Sequence, residues 1–300
     1  MRLHDVSKGM QGSDVNVLTK EQLAQLQLVL LMILDDINEI CENNSLKYIL
    51  IGGSAIGALR HQGFIPWDDD IDIAMTRSDY EKLADLIRSQ YANKYSVSDA
   101  RDTNNYGRLI PKIRLNGTEY RTVLETDLDD CGIRIDIFLI ENTYDNALLR
   151  NIHGVLCMFF GFALSCKRLY DRRREFKSLS SSLSFKVKRI LGALFSFASL
   201  NTWACWTDSV YSMCKDNTSK MISVPTDGAH FFGELTERED LCESVPVTYE
   251  NRTMRIPSAY EKYLSRIYGD YMKLPPKEKR LRSQYLVFDL GKYEGGNSNA

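Results

Sequence analysis

The stretch from Lys47 to Ile73 constrains the fold of this chain more than any other. It begins with a short apolar segment, Lys47–Ile51, continues through a Gly-Gly-Ser turn, and ends with aspartates that alternate with isoleucines. Because side chains alternate across a strand, Asp70 and Asp72 are expected to point to one face while the isoleucines enter the core. The pattern therefore predicts a buried strand, a turn, a short helix and an acidic strand that together form one site.

Two carboxylates at this spacing can bind a divalent metal. Positions two residues apart on a strand are separated by about 6.6 Å, so Asp70 and Asp72 can reach one ion or a close pair of ions. Mg²⁺ combines a few carboxylates with water and phosphate oxygens, and paired metals stabilise the attacking and leaving oxygens of a displacement. The sequence therefore predicts a nucleotidyltransferase-type site that uses Mg²⁺ or Mn²⁺ for phosphoryl chemistry.

The residues between the two strands are candidates for binding the phosphate of a nucleotide. Gly52 and Gly53 let the backbone approach a phosphate closely, and Ser54 is placed to open a helix whose N-terminus attracts anions. Arg60 and His61 end that helix and offer cationic donors. A run of aspartates alone is usually an exposed turn, and so is a lone Gly-Gly-Ser. The order of these elements is what favours a site.

Two later strands add candidate residues. Between Ile133 and Leu139, apolar and polar residues alternate, which is typical of a half-buried strand. Asp136 in this strand is either a third acidic residue of the site or the partner of a base such as Arg134, because a carboxylate there needs a partner. In the predicted strand 106–115, charge alone favours an ordinary solvent face, but beside a nucleotide site Lys112 is a candidate phosphate ligand.

Capping signals mark several helices. Residues 19–22 resemble a capping box and precede leucines and isoleucines at helical spacing, which predicts an amphipathic helix to about Asn43. Residues 78–81 resemble a second capping box, which predicts a helix to about Gln90. Residues 258–272 form a third predicted helix, ended near Gly269.

The strands predicted between the helices complete the fold class. Residues 95–98, 106–115 and 118–124 are predicted strands, the last two joined as a hairpin by the Asn116-Gly117 turn, and residues 245–256 form another hairpin. This order predicts an α+β fold with a nucleotidyltransferase-like mixed β-sheet core flanked by helices, and with a helical insertion.

Four regions are expected along the chain. Residues 1–18 are predicted to be a flexible N-terminus and residues 19–145 the nucleotidyltransferase-like catalytic core. Residues 146–206 are predicted to be a basic and apolar helical region, and residues 207–300 a C-terminal part that packs on the core.

The region 146–206 differs in character from the rest. Its apolar runs, 155–166 and 190–200, are each shorter than the ~20 residues that span a bilayer, and a dense Lys/Arg segment lies between them. One interpretation is two core helices joined by an exposed basic segment. The other is a helical region that rests peripherally on an anionic membrane surface.

Composition narrows the cellular setting. The formal net charge of −2 gives no bulk attraction to nucleic acid, so a nucleic-acid partner is not expected. The first residues are polar and lack an apolar signal core. The seven cysteines form no CxxC pair, which favours a reducing cytoplasm over a disulfide framework.

The quoted motifs resemble the LicD family of phosphotransferases, which includes phosphocholine transferases and fukutin-related enzymes. The family pattern appears here as Gly52-Gly53, Arg60-His61 and the run from Gly63 to Asp72. The strand 132–138 and the segment 259–276 match two further parts of the family. The resemblance covers roughly residues 20–145 and 220–290.

The resemblance implies a metal-dependent transfer of a phospho-alcohol, phosphocholine first among the candidates, from a CDP-linked donor to a sugar hydroxyl. The acceptor would be a cell-surface glycan or a lipid-linked glycan. It implies that Asp70, Asp72 and Asp136 hold the metal, and that Asp68 belongs to the catalytic set. The donor would be bound by residues named above: Gly52, Gly53, Ser54, Arg60, His61 and Lys112. Alternatives are a nucleotidyltransferase that uses a nucleoside triphosphate, and a non-catalytic nucleotide-binding scaffold.

Overall fold

The computed structural model describes residues 16–104, 106–122, 125, 131–173, 183–280 and 284–294. Most of the predicted flexible N-terminus, residues 1–15, lies outside the described residues. The helices are α1 (Lys20–Asn43), α2 (Gly52–His61), α3 (Arg77–Gln90), α4 (Ala147–Asp171), α5 (Leu183–Leu194), α6 (Leu200–Tyr211), α7 (His230–Gly233), α8 (Arg238–Cys242) and α9 (Tyr260–Tyr268). The strands are β1 (Asn16–Val17), β2 (Ile49–Leu50), β3 (Asp72–Thr76), β4 (Tyr95–Ser98), β5 (Lys112–Leu115), β6 (Glu119–Thr122), β7 (Arg134–Asn142), β8 (Met221–Ser223), β9 (Thr236–Glu237), β10 (Ser244–Tyr249), β11 (Arg252–Pro257) and β12 (Gln284–Asp289).

A mixed central sheet organises the fold. Its strands lie in the order β2-β3-β7-β5-β4, and β8 and β9 continue from the end of β7. β3 and β7 run parallel, whereas β2, β5 and β4 run antiparallel to their neighbours. A hairpin of β10 and β11 and a small sheet β1-β12-β6 flank it. The predicted α+β class with a mixed sheet and flanking helices is confirmed.

Helix α1 supplies a large share of the core. The capping box predicted at its start is present, because Thr19 Oγ1 accepts from the Gln22 N–H at 3.1 Å and Gln22 Oε1 accepts from the Thr19 N–H at 3.0 Å. The apolar stripe that follows is buried together with β3 and β7, and Leu26, Ile33 and Leu34 have no exposed surface. The helix ends at Asn43, as the spacing predicted.

The predicted hairpin of the strands around Asn116-Gly117 is wrong. Gly117 does form a turn, with a φ of +76°, but β5 pairs with β4 and β7, and β6 pairs with β12. Because both edges of β5 are occupied inside the central sheet, β6 can only pair elsewhere. Chain proximity favoured the hairpin, and long-range pairing overrode it.

Two helix boundaries differ from the sequence prediction. Helix α3 begins at Arg77, because Thr76 rather than Ser78 caps it, with Thr76 Oγ1 accepting from the Asp79 N–H at 3.2 Å. Helix α9 is shorter than the predicted 258–272, although Gly269 ends it with a φ of +67°.

The helical insertion consists of α4, α5 and α6. The apolar run in α4 was predicted to be too short to span a bilayer, but α4 is a helix of 25 residues, long and apolar enough by length and composition to do so. Only 28% of its apolar window is buried, and no other helix in the described part of the chain meets these criteria. The second predicted run is broken, since α5 ends at Leu194 and Ser199 caps α6.

The capping box gives a stability prediction. We expect Thr19→Ala to lower the free energy of unfolding by about 1 kcal/mol, because the N–H of Gln22 loses its acceptor at the start of α1. Urea denaturation measures the change, with Lys20→Ala as the matched control on the exposed first turn. Equal effects of the two substitutions would contradict the assignment.

Candidate active site

Three charged residues form one row across the central sheet. Asp136 on β7 lies in register with Asp72 on β3 and with Lys112 on β5. Residues in register on adjacent strands point to the same face, so the three side chains lie side by side. The structure therefore brings together Asp72 and Asp136, as the sequence predicted.

Two further carboxylates lie on the segment that leads into β3. Asp70 lies before β3 and not within it, so its predicted place on the strand is wrong by two residues, although it still lies beside Asp72. The Asp68 and Asp70 side chains lie close enough to shift each other's pKa, and Gln27 Nε2 donates to the Asp68 carbonyl at 2.9 Å. The site thus gathers Asp68, Asp70, Asp72 and Asp136.

Burial and mutual repulsion change the acidity of this cluster. Burial, followed by the charges of Asp72 and Asp68, raises the pKa of Asp70 well above its usual value. Burial and then Asp136 raise the pKa of Asp72 in the same way. Burial and the neighbouring Asp69 raise the pKa of Asp68 to about 7. The cluster therefore retains protons near neutral pH unless a cation compensates the negative charge.

The donor chemistry of the cluster fits a hard divalent cation. Carboxylate oxygens that repel one another are the ligands that Mg²⁺ or Mn²⁺ would neutralise. Within the described residues, however, no three His, Cys, Asp or Glu side chains are already arranged around one point as a complete metal site. Lys112 also occupies both oxygens of Asp136, with Nζ at 2.6 Å from Oδ1. Metal binding by Asp70, Asp72 and Asp136 stays a prediction.

The start of α2 touches these carboxylates. Gly52 has a φ of +56°, and a Cβ there would lie 3.5 Å from Asp72 Oδ2 and 3.3 Å from the Tyr268 hydroxyl. A Cβ on Gly53 would lie 3.0 Å from Asp68 Oδ2. Since any side chain would fill this gap, the glycines leave space at a helix N-terminus, where anions are favoured.

Ser54 is used inside the fold. It lies in the first turn of α2, is 3% exposed, and its Oγ accepts a hydrogen bond from the Asp72 N–H at 2.9 Å. The hydroxyl thereby fixes the backbone that carries Asp72. This contact gives Ser54 a positioning function, and its predicted contact with a donor phosphate stays a prediction.

Arg60 and His61 lie at the end of α2, as predicted. Arg60 Nη1 donates to the Tyr271 carbonyl at 2.7 Å, and Arg60 Nε donates to His61 Nε2 at 3.0 Å. Burial and then Arg280 lower the pKa of Arg60, while burial and then Arg60 lower the pKa of His61. Arg60 thus holds the segment after α9 against the site. The negative charge of Asp68 acts in the opposite direction and raises the pKa of Arg60.

Lys112 and its neighbours are buried, which the sequence did not predict. Lys112 is 5% exposed and Arg114 has no exposed surface, so the expected solvent face of this strand is wrong. The reason is that β5 lies inside the sheet with a neighbour on each side. Burial and then Arg134 lower the pKa of Lys112, whereas Asp136 and Glu125 act in the opposite direction.

Glu125 is a functional candidate that sequence reasoning missed. Its carboxylate lies 2.9 Å from Arg134, 3.4 Å from Arg114 and 3.9 Å from Lys112. Burial opposes ionisation, but Arg134, Lys112 and Arg114 together lower the pKa of Glu125 to about 2. Because Arg134 Nε is also 3.4 Å from Asp136, Glu125 orders the bases that hold Asp136. No local pattern in the sequence marks this residue.

A second wall of the site, also missed, comes from the C-terminal part. The Tyr263 hydroxyl donates to Asp227 Oδ2 at 3.3 Å, and Tyr268 reaches Gly52. Burial and then Asp227 raise the pKa of Glu234 to about 7. The family-like segment 259–276 contains both tyrosines, but neither was among the predicted site residues. Asp227 lies in a Pro-Thr-Asp-Gly turn that carries no such signal.

A cavity of about 530 Å³ adjoins the row of charged residues. Asp136 and Lys112 line one part of it, and Met158, Phe162 and Arg168 of α4 line another. The helical insertion therefore forms a wall of the space beside the carboxylates.

Comparisons with known proteins agree with this geometry. Residues 45–146 match the LicD/FKTN/FKRP nucleotidyltransferase domain, which includes β2, α2, β3 and β7. The lipopolysaccharide cholinephosphotransferase LicD of Haemophilus influenzae is 29% identical over 264 residues, which cover 86% of this chain and 94% of that protein. An uncharacterized protein of Rickettsia prowazekii is 36% identical over 77 residues, 26% of this chain and 29% of its own length. Another, of Rickettsia typhi, is 42% identical over 52 residues, 17% of each chain.

These matches identify a known domain within the chain. The class that the fold and the site define is a nucleotidyltransferase-like α+β domain with clustered carboxylates at a helix N-terminus. Residues 45–146 form a LicD-type nucleotidyltransferase domain, and the chain is similar to a LicD cholinephosphotransferase well beyond that domain.

The acidity of the cluster predicts how the metal-free protein responds to pH. The pKa values of Asp68, Asp70 and Asp72 are higher in the folded protein than in the unfolded chain. These carboxyl groups therefore contribute their full stabilisation below the pKa of the unfolded chain, near 4. That contribution is lost as the pH rises through the pKa values of the folded protein, which is about 7 for Asp68. In EDTA at pH 7.5, we expect Asp70→Asn to raise the free energy of unfolding by on the order of 1 kcal/mol.

Thermal and urea unfolding in EDTA at pH 5 and pH 7.5 measure this effect. Glu39→Gln on the exposed face of α1 is the matched control and is expected to change little. If wild type is as stable at pH 7.5 as at pH 5, and Asp70→Asn adds nothing, the carboxylates do not repel one another as described.

Proposed function

We propose that this chain is a metal-dependent phosphotransferase that moves phosphocholine from CDP-choline to a sugar hydroxyl of a cell-surface glycan. The observation that carries the proposal is the carboxylate cluster at the glycine-rich start of α2, within the matched nucleotidyltransferase domain. The similarity over 86% of the chain to a lipopolysaccharide cholinephosphotransferase supports the choice of phosphocholine and of a glycan acceptor.

In the proposed reaction, the sugar hydroxyl attacks the phosphorus that carries choline. The new bond joins the acceptor oxygen to this phosphorus, and the bond to the bridging oxygen of the diphosphate breaks, so that CMP leaves. The hydroxyl proton passes to a base. Catalysis of such transfers depends mainly on positioning and on electrostatic stabilisation of the phosphoryl oxygens.

The residues of the site divide these tasks. Asp70, Asp72 and Asp136 would hold Mg²⁺ or Mn²⁺, which would neutralise the diphosphate when bound. The backbone at Gly52 and Gly53 would face a donor phosphate. Asp68 would accept the hydroxyl proton, because a pKa of about 7 suits a base that works near neutral pH.

The other residues predicted to bind the CDP-linked donor would act indirectly. Lys112 would balance the charge of Asp136, and Arg60 and His61 would keep the chain after α9 closed over the donor. We further propose that the reaction takes place in the cytoplasm at the inner face of a membrane, where lipid-linked glycan acceptors would be available.

Two other functions remain as alternatives in the test. A strict nucleotidyltransferase would attack the α-phosphate of a nucleoside triphosphate and release pyrophosphate. A non-catalytic scaffold would bind the nucleotide with metal and release nothing. The Pro66-Trp67 context and the Tyr-Gly-Asp-Tyr-Met segment at 268–272 argue against the first alternative, and the intact cluster of aspartates argues against the second.

Product analysis separates these functions. We expect purified protein with CDP-choline, Mg²⁺ and lipopolysaccharide to release CMP in proportion to the phosphocholine transferred, and to form no pyrophosphate from CTP. CDP-ribitol and CDP-glycerol serve as competing donors that test the alcohol.

Substitution of a cluster aspartate tests the same proposal. We expect Asp72→Asn to reduce turnover by at least about 10²-fold while the protein stays folded, because the site loses a charge that compensates the metal. Glu39→Gln is the matched control. Near-full turnover of Asp72→Asn at saturating Mg²⁺ would overturn the metal assignment. Pyrophosphate from CTP, or binding without turnover, would favour one of the alternatives.

A further inference from the structure

Helices α4 and α5 and the turn after α5 expose an unusual amount of apolar surface. On α4 the exposed apolar positions follow a spacing of three and four residues, which is one face of a helix. We define the α4–α5 surface by its most exposed members, which are Leu148 (70%), Ile152 (50%), Val155 (60%), Phe159 (50%), Ile190 (65%), Leu194 (66%) and Phe197 (74%).

The surface is continuous across the two helices. Lys188 Nζ lies 5.8 Å from the centre of the Phe162 ring, and the rings of Phe159 and Phe195 meet edge to face at 6.4 Å. The Phe197 ring lies 6.4 Å from that of Trp206. Exposed apolar side chains that contact one another form a contiguous patch, whereas isolated exposed residues do not.

Positive charge accompanies the apolar side chains. Residues 147–173 and 183–199 contain a single acidic residue, Asp171, which is paired with Lys167 at 2.7 Å. The same residues contain eight basic side chains, Arg150, Lys167, Arg168, Arg172, Arg173, Lys186, Lys188 and Arg189, of which Lys167 and Arg172 are buried. An apolar face with a basic margin complements the acyl chains and the anionic headgroups of a lipid surface.

The opposite face of α4 is occupied by protein. His153 Nε2 lies 2.8 Å from the Val210 carbonyl of α6, and a Cβ on Gly154 would lie 2.6 Å from the Phe231 ring. A helix packed along one face against the domain is not surrounded by lipid, so α4 fits a surface location better than a membrane span.

The cavity beside Asp136 links this surface to the carboxylates. Its lining includes Met158 and Phe162, which are 41% and 43% exposed, and it extends to Asp136 and Lys112. The charged side chains that line it carry a positive balance, with Glu125 and Asp136 against Arg108, Lys112, Arg134, Arg168 and Lys188.

We propose that the α4–α5 surface rests on an anionic bilayer and that the cavity beside Asp136 receives the anionic headgroup of an amphiphilic acceptor from that bilayer. The second half of this proposal rests on the proposed function. The apolar surface holds the protein at the depth of the lipid headgroups. The basic cavity attracts the anionic glycan, and the transfer takes place at the end of the cavity that Asp136 lines.

Vesicle binding tests the surface without any turnover. We expect the wild-type protein to co-sediment with vesicles of phosphatidylglycerol and phosphatidylcholine, and to bind pure phosphatidylcholine at least about tenfold more weakly at low salt. Ile190→Glu with Leu194→Glu should weaken binding to the anionic vesicles at least about tenfold, since two exposed apolar side chains no longer enter the lipid. Leu28→Glu, at an apolar position on α1 that is 56% exposed, is the matched control.

Three outcomes of this experiment would overturn the surface. The first is equal binding to both vesicle types at all salt concentrations. The second is resistance to extraction by alkaline carbonate, which indicates a membrane span. The third is a concentration-dependent dimer that the double substitution abolishes, with no binding to vesicles. Light scattering and circular dichroism establish that the variants are folded.

Kinetics test the cavity. With lipopolysaccharide as the acceptor probe, Lys188→Glu is expected to raise the acceptor KM at least about tenfold and to leave the donor KM unchanged, because Lys188 lines the cavity at its α5 side. Lys82→Glu, exposed on α3 and outside both the lining and the α4–α5 surface, is the control. Equal changes in both KM values, or none, would overturn the cavity assignment.

Wild-type protein that binds anionic vesicles but releases no CMP would instead refute the proposed function, and the membrane-binding surface would still be supported.

Discussion

Repulsion among buried carboxylates is the constraint on which the rest of this structure depends. The sheet register puts Asp72 beside Asp136, and the segment before β3 adds Asp68 and Asp70. Such an arrangement costs stability, and its persistence requires a fold that leaves the side chains no alternative position. The central strands provide that restraint, because register fixes Asp72 and Asp136 together with the core residues on the opposite face.

Compensation for this charge is uneven across the site. Asp136 is balanced by Lys112 and Arg134, and Glu125 in turn holds those two bases. The largest influences on Asp70 are burial and the neighbouring aspartates, all of which raise its pKa. Asp72 and Asp68, whose pKa values are also raised, lie against the start of α2, where the glycines leave space. A cation has most to neutralise there.

The features of the fold and the site that depend on neighbouring residues could be predicted from the sequence, whereas those that depend on distant parts of the chain could not. The capping box of α1, the end of α2 and the positive-φ turn at Gly269 follow from neighbouring residues, and all were predictable. The hairpin at Gly117 failed because β5 finds its partners far along the chain. Lys112 and Arg114 looked exposed, since nothing in the local sequence shows that β5 is central.

The same reasoning separates the two walls of the site. The wall formed by Asp70 and Asp72 is contiguous in sequence and was recognised, whereas Asp227 and Tyr263 approach it only through tertiary packing. Asp68 lies so close to Gly53 that a phosphate bound there would meet a carboxylate. Phosphate and carboxylate are both anionic, so neither the donor nor the ionised cluster is stable in this gap without a cation between them. Binding of the donor and of the metal should therefore be mutually dependent, with protons released as the cluster ionises.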